Sequence, residues 1–230
     1  MSLEQIKHKI TCKEGKDAKE YLDRATSVLT KAFLGDPTYT WLLHDHPSSH
    51  VEPVLYKFMH GIFTAATLNS GVFVEVDSFG CCGVLMPPGY RADNPRTWLQ
   101  AGLIQSLFTV GVKGFKRAIF DFAPVEEMKA KALTKDELKK HWYVFIMGTV
   151  PEKQRQGLGG EMLLYMQERA RSDGRALWLE ATTPSSRELY LRYGFKDVGE
   201  VVLGKGKVGK DGKTEKGGEG ITMWSMVWRS

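Results

Sequence analysis

Residues 142–195 constrain the fold more than any other part of the chain. Trp142-Tyr143-Val144-Phe145-Ile146-Met147 is a continuous apolar run, the pattern of a strand buried on both faces. A glycine-containing loop follows, Gln154-Arg155-Gln156-Gly157-Leu158-Gly159-Gly160. It leads into a helix with Met162, Leu163, Met166 and Ala170 on one face. Ala176-Leu177-Trp178-Leu179-Glu180 reads as a second buried strand, and Pro184 opens a short helix that Gly194 ends. Strand, glycine loop, helix, strand and helix in about fifty residues call for a mixed α/β layer fold.

The preceding residues extend that sheet. A short strand is expected around Ile6–Cys12, then a helix capped by Asp17 and stopped at Gly35-Asp36-Pro37. Tyr39-Thr40-Trp41-Leu42-Leu43 forms an apolar patch before a loop, and a second helix runs from Val54 to about Leu68. Val72–Val76 and Cys82–Met86 form a hairpin. A long helical segment is expected over 96–122, uncharged from Thr97 to Val112 and a wall for a binding pocket, followed by a solvated helix from Glu126 to Lys140. After Asp197–Leu203, residues 205–220 hold five lysines, three acidic residues and six glycines. That composition predicts a flexible, solvated hairpin tip before a last strand over Ile221–Trp228.

The 230 residues fit one domain with a helical insertion at 96–140 and a flexible hairpin loop at 204–220. A net charge of +5 calls for nucleic acid only if clustered with aromatics, and the lysine-rich tip has none, so no nucleic-acid partner is expected. Cys12, Cys81 and Cys82 give neither a disulfide framework nor a zinc spacing, which fits a reducing compartment. The uncharged stretch is too short to span a membrane, and the first residues show no secretory pattern. A cytoplasmic protein is therefore expected. His44, His46 and His50 lack partners spaced for a metal, and no metal is expected.

The chemistry lies in the loop. A strand leading through glycines into a helix gathers unpaired backbone N–H groups and the positive end of the helix dipole at one point. Such a site holds phosphate or pyrophosphate, with Arg155 as an added charge. The third glycine of a dinucleotide fingerprint and the Gly-Lys-Ser/Thr of a P-loop are both missing.

The spacing resembles the acyl-CoA loop of the GNAT superfamily of N-acetyltransferases, Gln/Arg-x-x-Gly-x-Gly/Ala, here Gln154 to Gly159. Pro151, Leu177-Trp178-Leu179-Glu180-Ala181 and Leu189-Tyr190-Leu191-Arg192-Tyr193-Gly194-Phe195 follow the family's order. Ala32-Phe33 with Asp36-Pro37, Trp41-Leu42, Met86-Pro87-Pro88-Gly89 and Met223-Trp224 are similar to the puromycin N-acetyltransferase-like branch. The resemblance implies a mixed central sheet with splayed strands flanked by helices, and acetyl-CoA as cosubstrate. It implies that Met147, Gly148 and Thr149 pair with the pantetheine arm, that Gln154, Arg155, Gln156, Gly157, Leu158, Gly159 and Gly160 hold the pyrophosphate, and that Ser186 stands where the family has Asn.

Tyr190 takes the position of the family's general acid. A phenol of pKa ~10 gives its proton to a thiolate of ~8.5 at a cost of roughly 2 kcal/mol, so Tyr190 helps mainly through a hydrogen bond. An amine of pKa ~10.4 needs about 4 to 5 kcal/mol to lose its proton at neutral pH. Histone-type members place a glutamate at the position of Tyr143, so Glu180 is the expected base here and His141 the second candidate. The implied reaction is direct transfer to a small-molecule amine by a monomer or homodimer. The alternatives are acetylation of protein N-termini or lysines, and a non-catalytic acyl-CoA sensor.

Overall fold

The computed structural model describes residues 6–91, 97, 100, 101, 108–117 and 122–230. One seven-stranded sheet has the order β1-β2-β3-β4-β5-β7-β6. Its strands are β1 (Ile10–Glu14), β2 (Val72–Val76), β3 (Cys81–Met86), β4 (Trp142–Thr149), β5 (Leu177–Ala181), β6 (Lys196–Leu203) and β7 (Ile221–Trp228). Every neighbouring pair is antiparallel except β4 with β5, which is parallel. A parallel pair needs a crossover, and helix α7 (Leu158–Ser172) supplies it.

Alternation along the strands divides the core between two faces. Val72, Val74, Cys81 and Leu85 meet Met162, Leu163 and Met166 of α7. Gly83 allows this approach, because a Cβ there would lie 3.0 Å from the Met162 sulfur and the Met166 methyl. Phe73, Cys82, Val84 and Met86 face α1 (Lys19–Phe33) and α3 (Ser48–Leu68). The adjacent Cys81 and Cys82 thus point into different cores and remain free thiols.

Several expected elements shift. The first strand lies at 10–14, and Asp17 sits in a 3-10 turn (Gly15–Ala18) leading into α1, where no side chain caps the helix. The 39–43 patch belongs to α2 (Pro37–Leu42), and α3 starts before Val54, at Ser48. About half of the helical segment expected over 96–122, including residues 98, 99 and 102–107 of its uncharged part and with them its role as a pocket wall, lies outside the described residues; within them is α4 (Gly111–Lys116). The expected solvated helix is two helices, α5 (Ala123–Ala132) and α6 (Lys135–Lys140), separated by buried Leu133 and a reciprocal Thr134–Glu137 capping box. Val125 and Lys129 of α5 are buried. A helix α8 (Pro184–Arg192) follows β5.

Residues 204–220 join β6 to β7 as a hairpin requires, but they fold back on the protein. Val208 is fully buried with Trp41, Leu203 and Ile221. Backbone bonds tie Gly206 to Gly218 and Glu215 to Lys207. The composition hides a single apolar anchor among lysines and glycines.

Candidate active site

β4 and β5 pair only at Trp142–Leu177 and Tyr143–Trp178. Leu85 faces Val144 and Val84 faces Ile146, so Phe145 is an extra residue on β4. Such a bulge bends its strand. Beyond it β4 follows β3 while β5 stays paired with β7 through Ala181–Trp224, and the two strands part. The burial of β4 alternates here, with Tyr143 and Phe145 half-buried, in place of the two fully covered faces expected from its apolar run.

The hydrogen-bond direction fixes what β4 offers to this opening. Val150 N–H donates to Gly80 C=O at 3.0 Å. Donors alternate along an antiparallel ladder, so Ile146 and Gly148 also turn toward β3, and Met147 and Thr149 present their N–H and C=O groups toward the gap. Gly148 serves the packing of α1 instead. A Cβ on it would lie 2.8 Å from Ala32 and 3.1 Å from Phe33, so only glycine lets the helix sit this close to the sheet.

Past β4, a 3-10 turn (Pro151–Lys153) is tied to the β2–β3 turn by Lys153 Nζ on Asp77 Oδ2 at 2.6 Å. Gln154 Nε2 reaches Thr149 O at 3.3 Å, and Gln156 Nε2 reaches Glu152 O at 3.3 Å. Arg155 (φ 61°) and Gly157 (φ 92°) take left-handed backbones that turn the chain into α7. No side chain caps this end of α7, so its first N–H groups are free to meet an anion. Arg155 is exposed and without an ion pair among the described residues. Glu161, one turn in, would oppose an anion, but His8 engages both its oxygens at 3.0 Å. Leu158 anchors the turn in the core, and Gly160 leaves room for the Tyr193 ring.

Tyr190, on α8, is buried against Phe195, and its hydroxyl has no hydrogen-bond partner among the described residues. Burial, and then the negative potentials of Cys81, Asp36 and Glu180, raise its pKa well above that of a free phenol. Ser186, one turn earlier, is bonded in a reciprocal cap with Thr183. Glu180 accepts hydrogen bonds from Tyr143 Oη at 2.8 Å and Trp178 Nε1 at 2.5 Å. Tyr143 is itself kept protonated by burial and by this carboxylate.

His141 is not assembled with these groups. It sits before β4, about six residues or ~20 Å along the strand from Met147. Its ring bonds the Glu137 carbonyl at 2.8 Å, so it finishes α6 instead of facing the opening.

A carboxylate not expected from the sequence lies close enough to Tyr190 to act on its hydroxyl. Asp36 caps α2 through Thr38 N–H at 2.9 Å and Tyr39 N–H at 3.4 Å, and accepts from Thr182 Oγ1 at 2.6 Å, just past β5. Burial raises its pKa against these hydrogen bonds. Gly35-Asp36-Pro37 was legible as a helix stop, but the link to Thr182 spans 146 residues. Among the described residues no three His, Cys, Asp or Glu side chains gather as metal ligands, and no helix is long and apolar enough to cross a membrane.

Residues 128–195 match the pattern of the Acetyltransferase (GNAT) family. The chain has the GNAT fold, and this stretch carries the family's acetyltransferase pattern. It is 25% identical over 180 residues to an uncharacterized N-acetyltransferase of Schizosaccharomyces pombe, covering 78% of this chain and 72% of that one. Arylalkylamine N-acetyltransferase 2 from Aedes aegypti superposes with a TM-score of 0.61 at 14% identity, over 96% of this chain and 98% of the other. A histone acetyltransferase HPA2-related acetyltransferase from Corynebacterium glutamicum gives 0.57 at 20%, over 95% and 94%. The fold implies acetyl-CoA as cosubstrate.

Proposed function

We infer that this acetyltransferase moves the acetyl group of acetyl-CoA to the primary amine of a small molecule, by direct attack of the amine on the thioester. The observation that carries the reading is the unpaired β4 edge, open between an uncapped helix end on one side and two carboxylates with an unbonded phenol on the other.

In this reading Met147 and Thr149 pair with the pantetheine amides as an added strand would. The α7 N-terminus and Arg155 take the pyrophosphate, and a β4 N–H polarises the thioester carbonyl. The amine nitrogen attacks that carbon, the C–S bond breaks, and Tyr190 gives the departing sulfur a hydrogen bond. Asp36 is assigned to take the ammonium proton, because a buried carboxylate of raised pKa is a stronger base than an exposed one. Glu180, the base expected from sequence, already accepts two hydrogen bonds, from Tyr143 and Trp178.

The likeness to the mosquito enzyme, whose name specifies arylalkylamines, and the resemblance to the puromycin N-acetyltransferase branch both support a small acceptor. The test is thiol release from acetyl-CoA with a panel of small amines and a lysine peptide. Turnover with small amines is expected, and Tyr190→Phe should lower kcat about 10²-fold while acetyl-CoA affinity holds. Thermal protection by acetyl-CoA without thiol release from any amine would identify a sensor instead.

A further inference from the structure

Several carboxylates elsewhere in the chain have basic partners: His8 serves Glu161, Arg117 serves Asp45, Lys129 serves Glu126 and Arg229 serves Glu137. Asp36 and Glu180 have none: every hydrogen bond they accept comes from a neutral donor, namely two backbone N–H groups, Thr182, Tyr143 and Trp178. Lys129, whose ammonium lies 4.5 Å from the centre of the Tyr143 ring, spends its hydrogen bond on Glu126 at 2.8 Å.

The hydroxyls beside these two carboxylates are also left over. Ser225 stands directly opposite Glu180 in the β5–β7 register, so both side chains share one face. It is 1% exposed and has no hydrogen-bond partner among the described residues. Thr38 Oγ1 is buried close enough to Asp36 to favour its charge, yet completes no properly angled hydrogen bond. Glu75 is the contrast. It is buried without a cation, as Asp36 is, but it accepts from Thr11 Oγ1 at 2.5 Å and Phe79 N–H at 2.7 Å, and Thr11 is bonded on to Tyr21. Nothing around Glu75 waits for a partner, whereas Ser225 and Thr38 do.

We propose that the acceptor is a dication: an aliphatic amine carrying a second cationic amine or guanidinium, with the reacting nitrogen at Asp36 and the distal cation at Glu180 and Ser225. This rests on the N-acetyltransferase reading above. The charge balance favours it. A singly charged ammonium leaves the buried Asp36 and the half-buried Glu180 with one negative charge between them, and an uncompensated carboxylate withdrawn from water is costly. A dication cancels both. When the reacting ammonium gives a proton to Asp36, its free amine attacks the thioester carbon, the C–S bond breaks, and the second nitrogen proton ends on the thiol. Glu180 and the distal cation remain a neutral pair throughout.

The experiment compares three acceptors of one length in the thiol-release assay: 1,5-diaminopentane, 5-amino-1-pentanol and n-pentylamine. The diamine should exceed both others in kcat/KM by about thirtyfold, mostly through KM, as expected for a hydrogen bond to a charged partner. Glu180→Gln should reduce that preference to a few-fold, and Ser225→Ala should reduce it partly. Equal use of diamine and monoamines by the wild-type enzyme overturns the proposal with no variant needed, as does a preference that Glu180→Gln leaves intact. Turnover of monoamines without a diamine preference removes only the dication; thiol release with no amine at all removes the acetyltransfer reading with it.

Discussion

Along its β3 edge, β4 is paired from Tyr143 to Thr149; along its β5 edge, pairing stops at Tyr143. The residues on the two edges belong to one strand of one sequence, so the difference does not come from strand propensity. It comes from one extra residue, Phe145, and from β5 being held by β7 on its far side. An open edge inside a sheet exposes backbone donors and acceptors that must find partners. A closed edge builds the fold; the open one is kept for a substrate that brings its own amides.

The largest test of this comparison falls on Asp36, which joins α2 to the chain just past the open end of β5. Asparagine caps helices as well as aspartate does, and Thr182 can reverse its hydroxyl to suit the amide. Asp36→Asn should therefore leave the opening intact and remove only the proton acceptor, lowering kcat by about 10²–10³-fold. Stability moves the other way. Because burial raises the Asp36 pKa above its usual 3.8, the folded chain keeps a proton that the unfolded chain has released, and stability falls as pH rises through that window. At neutral pH the variant should melt no lower than wild type and should no longer lose stability across that window. A melting temperature well below wild type, with kcat kept, would make Asp36 a structural cap and return the base to Glu180.

The closed edge is tested at Gly148. A side chain there would push into Ala32, Phe33 and Leu29 of α1, and overpacking of that kind costs about 1–3 kcal/mol. Gly148→Val should lower the melting temperature by roughly 4–8 °C, yet the extra stabilisation that acetyl-CoA gives should persist. If the melting temperature holds and the acetyl-CoA effect disappears, Gly148 faces the opening and the assignment of β4 donors is reversed.

How much of this could be read from the residues depends on how local the cause is. The 154–159 turn was legible because a left-handed backbone at residue 157 demands glycine within the motif itself. The place of Tyr190 on a short helix was legible from Pro184 and Gly194, which bound that helix within eleven residues. Asp36 was half legible: its capping role is local, whereas its approach to Thr182 depends on how α1 packs on β3 and β4 and carries α2 with it. His141 failed for the opposite reason, since a polar residue at a strand end gives no sign of which end of the sheet will open. Lys129 looked like one charge on a solvated helix, and only the Tyr143 and Trp178 rings beneath it account for its burial. The bulge at Phe145 left no mark in an unbroken apolar run.

The smallest and most discriminating effect is expected at Gly159, on the helix side of the open edge. A Cβ there would meet Leu189 at 3.5 Å, Met147 at 3.7 Å and Thr149 Oγ1 at 3.9 Å, all ordinary contacts. The backbone is helical, and valine is a slightly better helix former than glycine. Gly159→Val should thus melt at or just above the wild-type temperature when free. Its methyl groups, however, extend toward Met147 and Thr149, the two residues that offer the gap their backbone groups. Acetyl-CoA affinity should fall about tenfold, a change of about 1.4 kcal/mol, and calorimetric titration would measure it. Together with Gly148→Val this forms a crossed pair: one glycine costs stability and spares the cosubstrate, the other spares stability and costs the cosubstrate. Acetyl-CoA binding to Gly159→Val as tightly as to wild type would mean that the cosubstrate does not enter along the unpaired edge of β4.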